Sequence, residues 1–492
     1  MNGDCVNVIS IETRHCDRTT KSSAYPRCTV IGFRAGQVAS LSMRPYLLPC
    51  RPDLTCSDPL SVVDVENPTV WQVITAHIAT IKTLAHLPDL IEDLAYSLHG
   101  NGNLDTRFLR QFLGHTFRAS DPVAERVLSN VVEAALSLPV MFPSHSINHL
   151  SLHNSLMILS TLQARSLVAH QLLGTLEAPR GNDWGPNLYC WYSFPQPLEN
   201  AVTGYLTTLF HYFKERGDQS SFVRIEFCSG LAASAPYHAF QTCRKHAFGN
   251  LVLQPTGITT VPFPHETIDC TVISSNASPG FGSSCTQEEL VTAACPELLP
   301  IGALLVSPPL PHDAAILVSN VTPVSQWAGQ GRHARLIQTH DGRPHDFLLI
   351  DASELDISST HFPDLEPTTL QRDLHKLLVG FVALRRNSVS RVASPLWGAG
   401  SFCGDPIVKA IMIAVAAAFT DLQVWLSIDE NRTRPTTTPD QPVKTVLEVL
   451  RDLSSTCRDM TVQEALSTLV SDDALRCRDG WDVARLFSSS SA

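Results

Sequence analysis

The chain has 492 residues, a formal net charge of −11, 44% hydrophobic residues and 17% charged ones. That balance builds a sizeable apolar core, and the negative charge excludes broad electrostatic binding to nucleic acid, which needs a basic patch. A local anion site made of backbone amides stays possible.

The 14 cysteines are scattered, with no C-x-x-C pair and no Cys/His cluster at zinc spacing, so no metal site is expected. They read as buried thiols of an intracellular protein. The opening residues lack a basic stretch followed by an apolar core, and the longest apolar run, Ala410 to Phe419, is a core helix too short for a bilayer. The expectation is a soluble chain of the nucleus or cytoplasm.

Residues 1–65 are mixed in character and read as an N-terminal extension. From Pro68 the pattern turns helical. Apolar residues recur at 3–4 spacing over Val73–Leu84, Phe108–Leu113, Val127–Leu136 and Gln163–Leu173, with another helix at Tyr205–Phe213. Between them, Trp184, Tyr189, Trp191 and Tyr192 read as packing between subdomains. Strands are expected at Val223–Phe227, Asn250–Leu253, Thr267–Ile273, Ile316–Val318, Ala334–Ile337, Phe347–Ile350 and Leu422–Leu426. Helices Gln287–Ala294, Leu370–Val382 and Pro406–Phe419 alternate with them, which favours a mixed three-layer α/β core. A polar, Pro/Thr-rich linker over 429–444 precedes two last helices and a Ser-rich end expected to fray. The organisation is thus 1–65 extension, 66–215 helical accessory domain, 216–430 α/β core, and 431–492 linker with C-terminal helices.

Two loops carry the chemistry. Ser278-Pro279-Gly280-Phe281-Gly282-Ser283-Ser284-Cys285 runs into Thr286-Gln287-Glu288-Glu289. Small residues let the backbone approach a ligand, and a helix N-terminus suits an anion. Carboxylates there are out of place unless one does chemistry; the plain alternative is a capping box from Thr286 to Glu289. The second loop, Ser394 to Asp405, contains Trp397-Gly398-Ala399-Gly400-Ser401-Phe402. It precedes a helix with Asp405 at N-cap and Pro406 at N1, an arrangement suited to cradling a diphosphate.

In this order and spacing the chain resembles the poly(ADP-ribose) glycohydrolase family. Ile268-Asp269, a loop and Gln287-Glu288-Glu289 resemble its V-D-F strand, Gly-Gly-Gly loop and Q-E-E signature. Ile350-Asp351-Ala352, then Arg372 to Gly380-Phe381, resemble its I-D-A strand and the helix ending G-F. Trp397–Asp405 with Lys409-Ala410 resembles its W-G loop and the helix that follows. The resemblance implies a macrodomain-like three-layer mixed-sheet core with an N-terminal helical accessory domain. It implies hydrolysis of ribose–ribose O-glycosidic bonds in poly(ADP-ribose) on ADP-ribosylated proteins, releasing ADP-ribose, without metal or cofactor. A monomer is expected, without membrane or direct DNA contact, with a place in reversing ADP-ribosylation and in the DNA damage response.

By the same resemblance Glu289 is the general acid/base, Glu288 helps orient a ribose, and Asp269 sits beneath the site. Gln287 contacts the ligand, with Gly280 and Gly282 supplying the loop. Leu396, Trp397, Gly398, Ala399, Gly400 and Ser401 hold the diphosphate and Phe402 lines the distal ribose. Gln330 falls where the family has its stacking Tyr, with Trp327 near enough to take over some stacking. Neighbouring helix residues do not face one another, so one carboxylate recycled as acid then base is expected rather than a facing pair. Ala277-Ser278-Pro279 stands in place of three glycines. That departure opens a second expectation, a macrodomain that binds ADP-ribose with weakened turnover. A third is an unrelated α/β protein in which Gln-Glu-Glu is only a cap.

Overall fold

The computed structural model describes residues 45–490 apart from 119–120, 177–186, 216–220, 230–239, 241, 257–266, 283, 306–309, 359, 431 and 434–443. The extension up to residue 44, and Trp184, lie outside the described residues.

Twelve strands are described in chain order: β1 (Tyr46–Leu47), β2 (Ser146–Ile147), β3 (Leu156–Ser160), β4 (Phe222–Ser229), β5 (Leu251–Thr256) and β6 (Cys270–Ser275). Then come β7 (Ala314–Val321), β8 (Ser325–Ala328), β9 (Arg335–Thr339), β10 (His345–Asp351), β11 (Arg391–Ser394) and β12 (Gln423–Asp429). Eight of them form one sheet in the order β3-β4-β7-β10-β6-β11-β12-β5. β10, β6, β11, β12 and β5 run parallel, whereas β3, β4, β7 and β10 alternate in direction.

Strand periodicity decides the layers. In β10, Phe347 and Leu349 enter one apolar cluster while Leu348 and Ile350 enter the other. The first cluster holds the helices Pro122–Leu136, Thr161–Leu173, Glu199–Lys214 and Gln287–Ala294. The second holds Pro367–Arg386, Pro406–Thr420 and the C-terminal helices. Helix, sheet and helix make the three layers of an α/β core. Every residue from Ile407 to Ala418 is buried, which explains the unbroken apolar run there. No described helix is long and apolar enough to cross a membrane.

Each expected stretch carries its helix or strand, and the departures include an added helix, Leu87–His99, and an added strand, β8. Leu156–Ser160, inside the helical stretch, is the outermost strand beside β4. Arg391–Ser394, too short and polar to signal a strand, fills the sheet between β6 and β12. The Ser-rich end is helical from Gly480 to Ser490, because Val483, Ala484 and Phe487 are buried against the core.

Candidate active site

Parallel sheets bind ligands outside the carboxyl ends of their strands. β6 ends there at Ser275, and Ser274 ties the two loops together. Its N–H donates to the Gln287 side-chain carbonyl at 3.2 Å, and its hydroxyl accepts from Gly398 N–H at 3.2 Å. Sequence reasoning missed Ser274, since one polar residue in a buried strand reads as an interruption. Asn276, the first residue past β6, also lies at this edge.

Thr286 caps the Gln287–Ala294 helix, its hydroxyl accepting from Glu289 N–H at 3.4 Å. The Glu289 carboxylate accepts from Cys285 N–H, just before the helix. Cys285 adopts φ +55°, and its carbonyl accepts from Gly331 N–H at 2.9 Å, next to exposed Gln330. Burial pushes the Glu289 carboxyl above its ordinary value, opposed by the amides of Cys285, Ser284 and Thr286.

Glu288 points elsewhere. Its two oxygens accept from Asn276 N–H at 2.7 Å and Gly280 N–H at 3.0 Å. Burial pushes its carboxyl up to about 8 against those two donors. Glu288, expected to orient a ribose, holds the loop in shape through these two bonds. The two carboxylates take different backbone partners, as adjacent helix positions require.

The stretch that stands in place of three glycines is anchored at both ends. Phe281 is buried against Trp191 with ring centroids 5.3 Å apart, and Ala277 C=O accepts from Leu310 N–H at 2.6 Å. Trp191 stacks on Tyr205, and Tyr205 on Trp327, each at 4.9 Å. Trp327 is fully buried with its indole N–H on Ser325, so it cannot stack on a ligand. Gly282 is the close approach: a Cβ there would lie 2.8 Å from Glu289 Oε1. Gly282→Ala is expected to lower kcat about 10- to 100-fold by displacing that carboxyl, since small misplacements cost rates of this order. Stability should change by less than about 0.5 kcal/mol. Steady-state kinetics beside thermal melts check both.

Asp269 is a correction. It precedes β6, and six strand residues at about 3.3 Å each put it some 20 Å from the carboxyl edge. Its oxygens accept from Ser390 N–H and hydroxyl and from Arg391 N–H and guanidinium. Burial raises its carboxyl, but these donors outweigh burial and hold it below the ordinary value. Asp269→Asn should leave kcat and KM unchanged and lower the melting temperature slightly.

In the second loop Leu396, Trp397 and Ala399 are buried, and Trp397 donates its indole N–H to Ile350 C=O at 2.9 Å. The Trp397 and Ala399 amides are spent on Pro395 C=O at 2.8 Å and Leu396 C=O at 3.0 Å. Gly398 holds φ +74°, where a Cβ would meet that of Ala352 at 2.8 Å. Among the described residues the amides of Gly400, Ser401 and Phe402 have no hydrogen-bond partner, and Gly400 and Ser401 are exposed. Such a run of amides can receive an anion. The following helix end does not contribute: Asp405 Oδ1 already accepts from Ile407 and Val408 N–H, and Oδ2 from Gly480 N–H at 2.9 Å. The expected N-cap Asp405 and N1 Pro406 are both in place. Burial pushes Asp405 up to about 6.

A buried charge network underlies the loop. Lys409 Nζ lies 2.5 Å from Asp373 and 3.1 Å from Asp364, while Arg372 bridges Asp373 and Asp351, and Lys376 also pairs with Asp351.

Two family models match the chain. The helical domain of poly(ADP-ribose) glycohydrolase matches residues 118–227, and its macro domain fold matches 258–432. Together they take in more than half of the chain. Among solved structures, the poly(ADP-ribose) glycohydrolase of Deinococcus radiodurans in complex with ADP-ribose is 14% identical. The match covers 47% of this chain and 95% of that one, with a TM-score of 0.34. The Thermomonospora curvata enzyme is 16% identical over 44% of this chain and 81% of that one, TM-score 0.30. The assignment rests on the family models, at whose two stretches the layered core and both loops are found: this chain belongs to the poly(ADP-ribose) glycohydrolase family and is a glycosidase of poly(ADP-ribose).

Proposed function

We propose that Glu289 is the general acid/base that cleaves the ribose–ribose O-glycosidic bond of poly(ADP-ribose), releasing ADP-ribose. The observation that carries this reading is the Glu289 carboxyl itself. Burial favours its protonated form, and its helix is tied through Gln287 and Ser274 to the Gly398 loop, whose unpartnered amides suit a diphosphate. The proton passes to the leaving ribose oxygen as the anomeric C–O bond breaks through an oxocarbenium-like state. The resulting carboxylate then takes a proton from the water that adds to the anomeric carbon, which restores the acid. Glu288 keeps the loop in register, and Gln287, fixed by Ser274, shapes the same wall.

One observation favours a second reading, an ADP-ribose binder with little turnover: the Glu289 carboxylate is engaged by the Cys285 amide. Chromatography of polymer incubated with the protein separates the two. Free ADP-ribose accumulating over many turnovers supports hydrolysis, and calorimetric binding of ADP-ribose without product supports the binder. The described cysteines are all free thiols, which supports the nucleus or cytoplasm as the compartment.

A further inference from the structure

Three successive peptides make the cradle, and each needs its carbonyl held so that its N–H faces the ligand, because the two ends of a trans peptide point opposite ways. Gly400 C=O accepts from Cys403 N–H at 3.0 Å, and Ser401 C=O faces the Cys403 thiol at 3.8 Å. The Ala399–Gly400 peptide is the vulnerable one. Gly400 has open space where a Cβ would stand, so little in the loop opposes a rotation that turns this carbonyl toward the ligand.

Its carbonyl is held from outside the loop. Arg432 donates from Nη2 to Ala399 C=O at 2.6 Å. Arg432 is itself fixed, its N–H on Asp429 C=O at the end of β12 and its carbonyl accepting from Val446 N–H at 2.9 Å. We propose that Arg432 is a positioning residue for the diphosphate: its guanidinium locks the Ala399–Gly400 peptide so that the Gly400 N–H faces the anion. A charged donor on the carbonyl also polarises the peptide and strengthens that N–H. The inference rests on the reading of this loop as the diphosphate cradle.

The test uses Arg432→Ala and Arg432→Lys in the full chain, with ADP-ribose calorimetry, polymer kinetics and thermal melts. Arg432→Ala should raise the Kd for ADP-ribose and the KM for polymer about 10-fold, the loss of one charge-assisted bond. kcat should stay within about twofold, because the contact is shared by ground and transition states. Arg432→Lys, which keeps a cationic donor, should recover most of the affinity. An unchanged Kd in Arg432→Ala overturns the inference, as does a fall of kcat and melting temperature in step with the rise of KM. A wild-type protein that binds no ADP-ribose overturns the reading of the loop itself, and this inference with it.

Discussion

Glu289→Gln should lower kcat on polymer by about 10²- to 10⁴-fold, the range a positioned general acid supplies, and leave the Kd for ADP-ribose within a few-fold. Gln keeps an oxygen that can accept the Cys285 N–H, so the loop before the helix keeps its shape. What it loses is the transferable proton. Glu288 cannot substitute, since its oxygens are committed to Asn276 and Gly280 and it takes no part in the Cys285 contact. Pre-steady-state kinetics of wild type and variant, with calorimetry of product binding, measure the split. A variant that loses binding and turnover in proportion would make Glu289 a wall of the pocket instead of its acid.

The second large effect lies beneath the other loop. Lys409 is fully buried with Asp373 and Asp364, themselves almost wholly enclosed. Burial alone would raise the Asp373 carboxyl, but Lys409 and Arg372 outweigh it and keep it ionised. Lys409→Met leaves buried Asp364 without its cation and Asp373 with Arg372 alone, which costs about 3–5 kcal/mol. The loop suffers with the core, because Gly404 packs so closely on Lys409 that a Cβ there would lie 2.6 Å from Cε. Denaturant unfolding should show the loss, and the double variant Asp373→Asn/Lys409→Met should lose less than the sum of the single changes, since the two residues share one interaction.

Both loops were legible because Gly, Ser and Pro clusters ahead of apolar helices signal close backbone approach whatever surrounds them. Gln287, Glu288 and Glu289 fall where the sequence puts them, at the start of a helix facing the sheet's carboxyl edge. The register of the strand before them was less legible. Period-2 alternation marks a strand without fixing its ends, so the expected Thr267–Ile273 stands displaced from the observed Cys270–Ser275, and Ser274 and Asn276 were passed over. Lys409 and Lys376 look like solvated helix residues until the fold brings Asp364, Asp373 and Asp351 to them. Arg432 was hidden for the opposite reason: it sits in a polar, Pro/Thr-rich segment that reads as linker, yet reaches the Ala399 carbonyl. Contacts between residues far apart in the chain decided each case.

The pH dependence of kcat/KM on polymer tests the role of Glu289 most directly. A carboxyl raised in the folded protein stays protonated below its raised value and loses its proton as pH climbs through it. The rate should therefore hold on the acidic side and fall along an alkaline limb whose midpoint lies above the ordinary carboxyl range, and Glu289→Gln should lack that limb. A wild-type profile without an alkaline limb, or the same limb persisting in Glu289→Gln, would contradict the assignment of Glu289 as the acid.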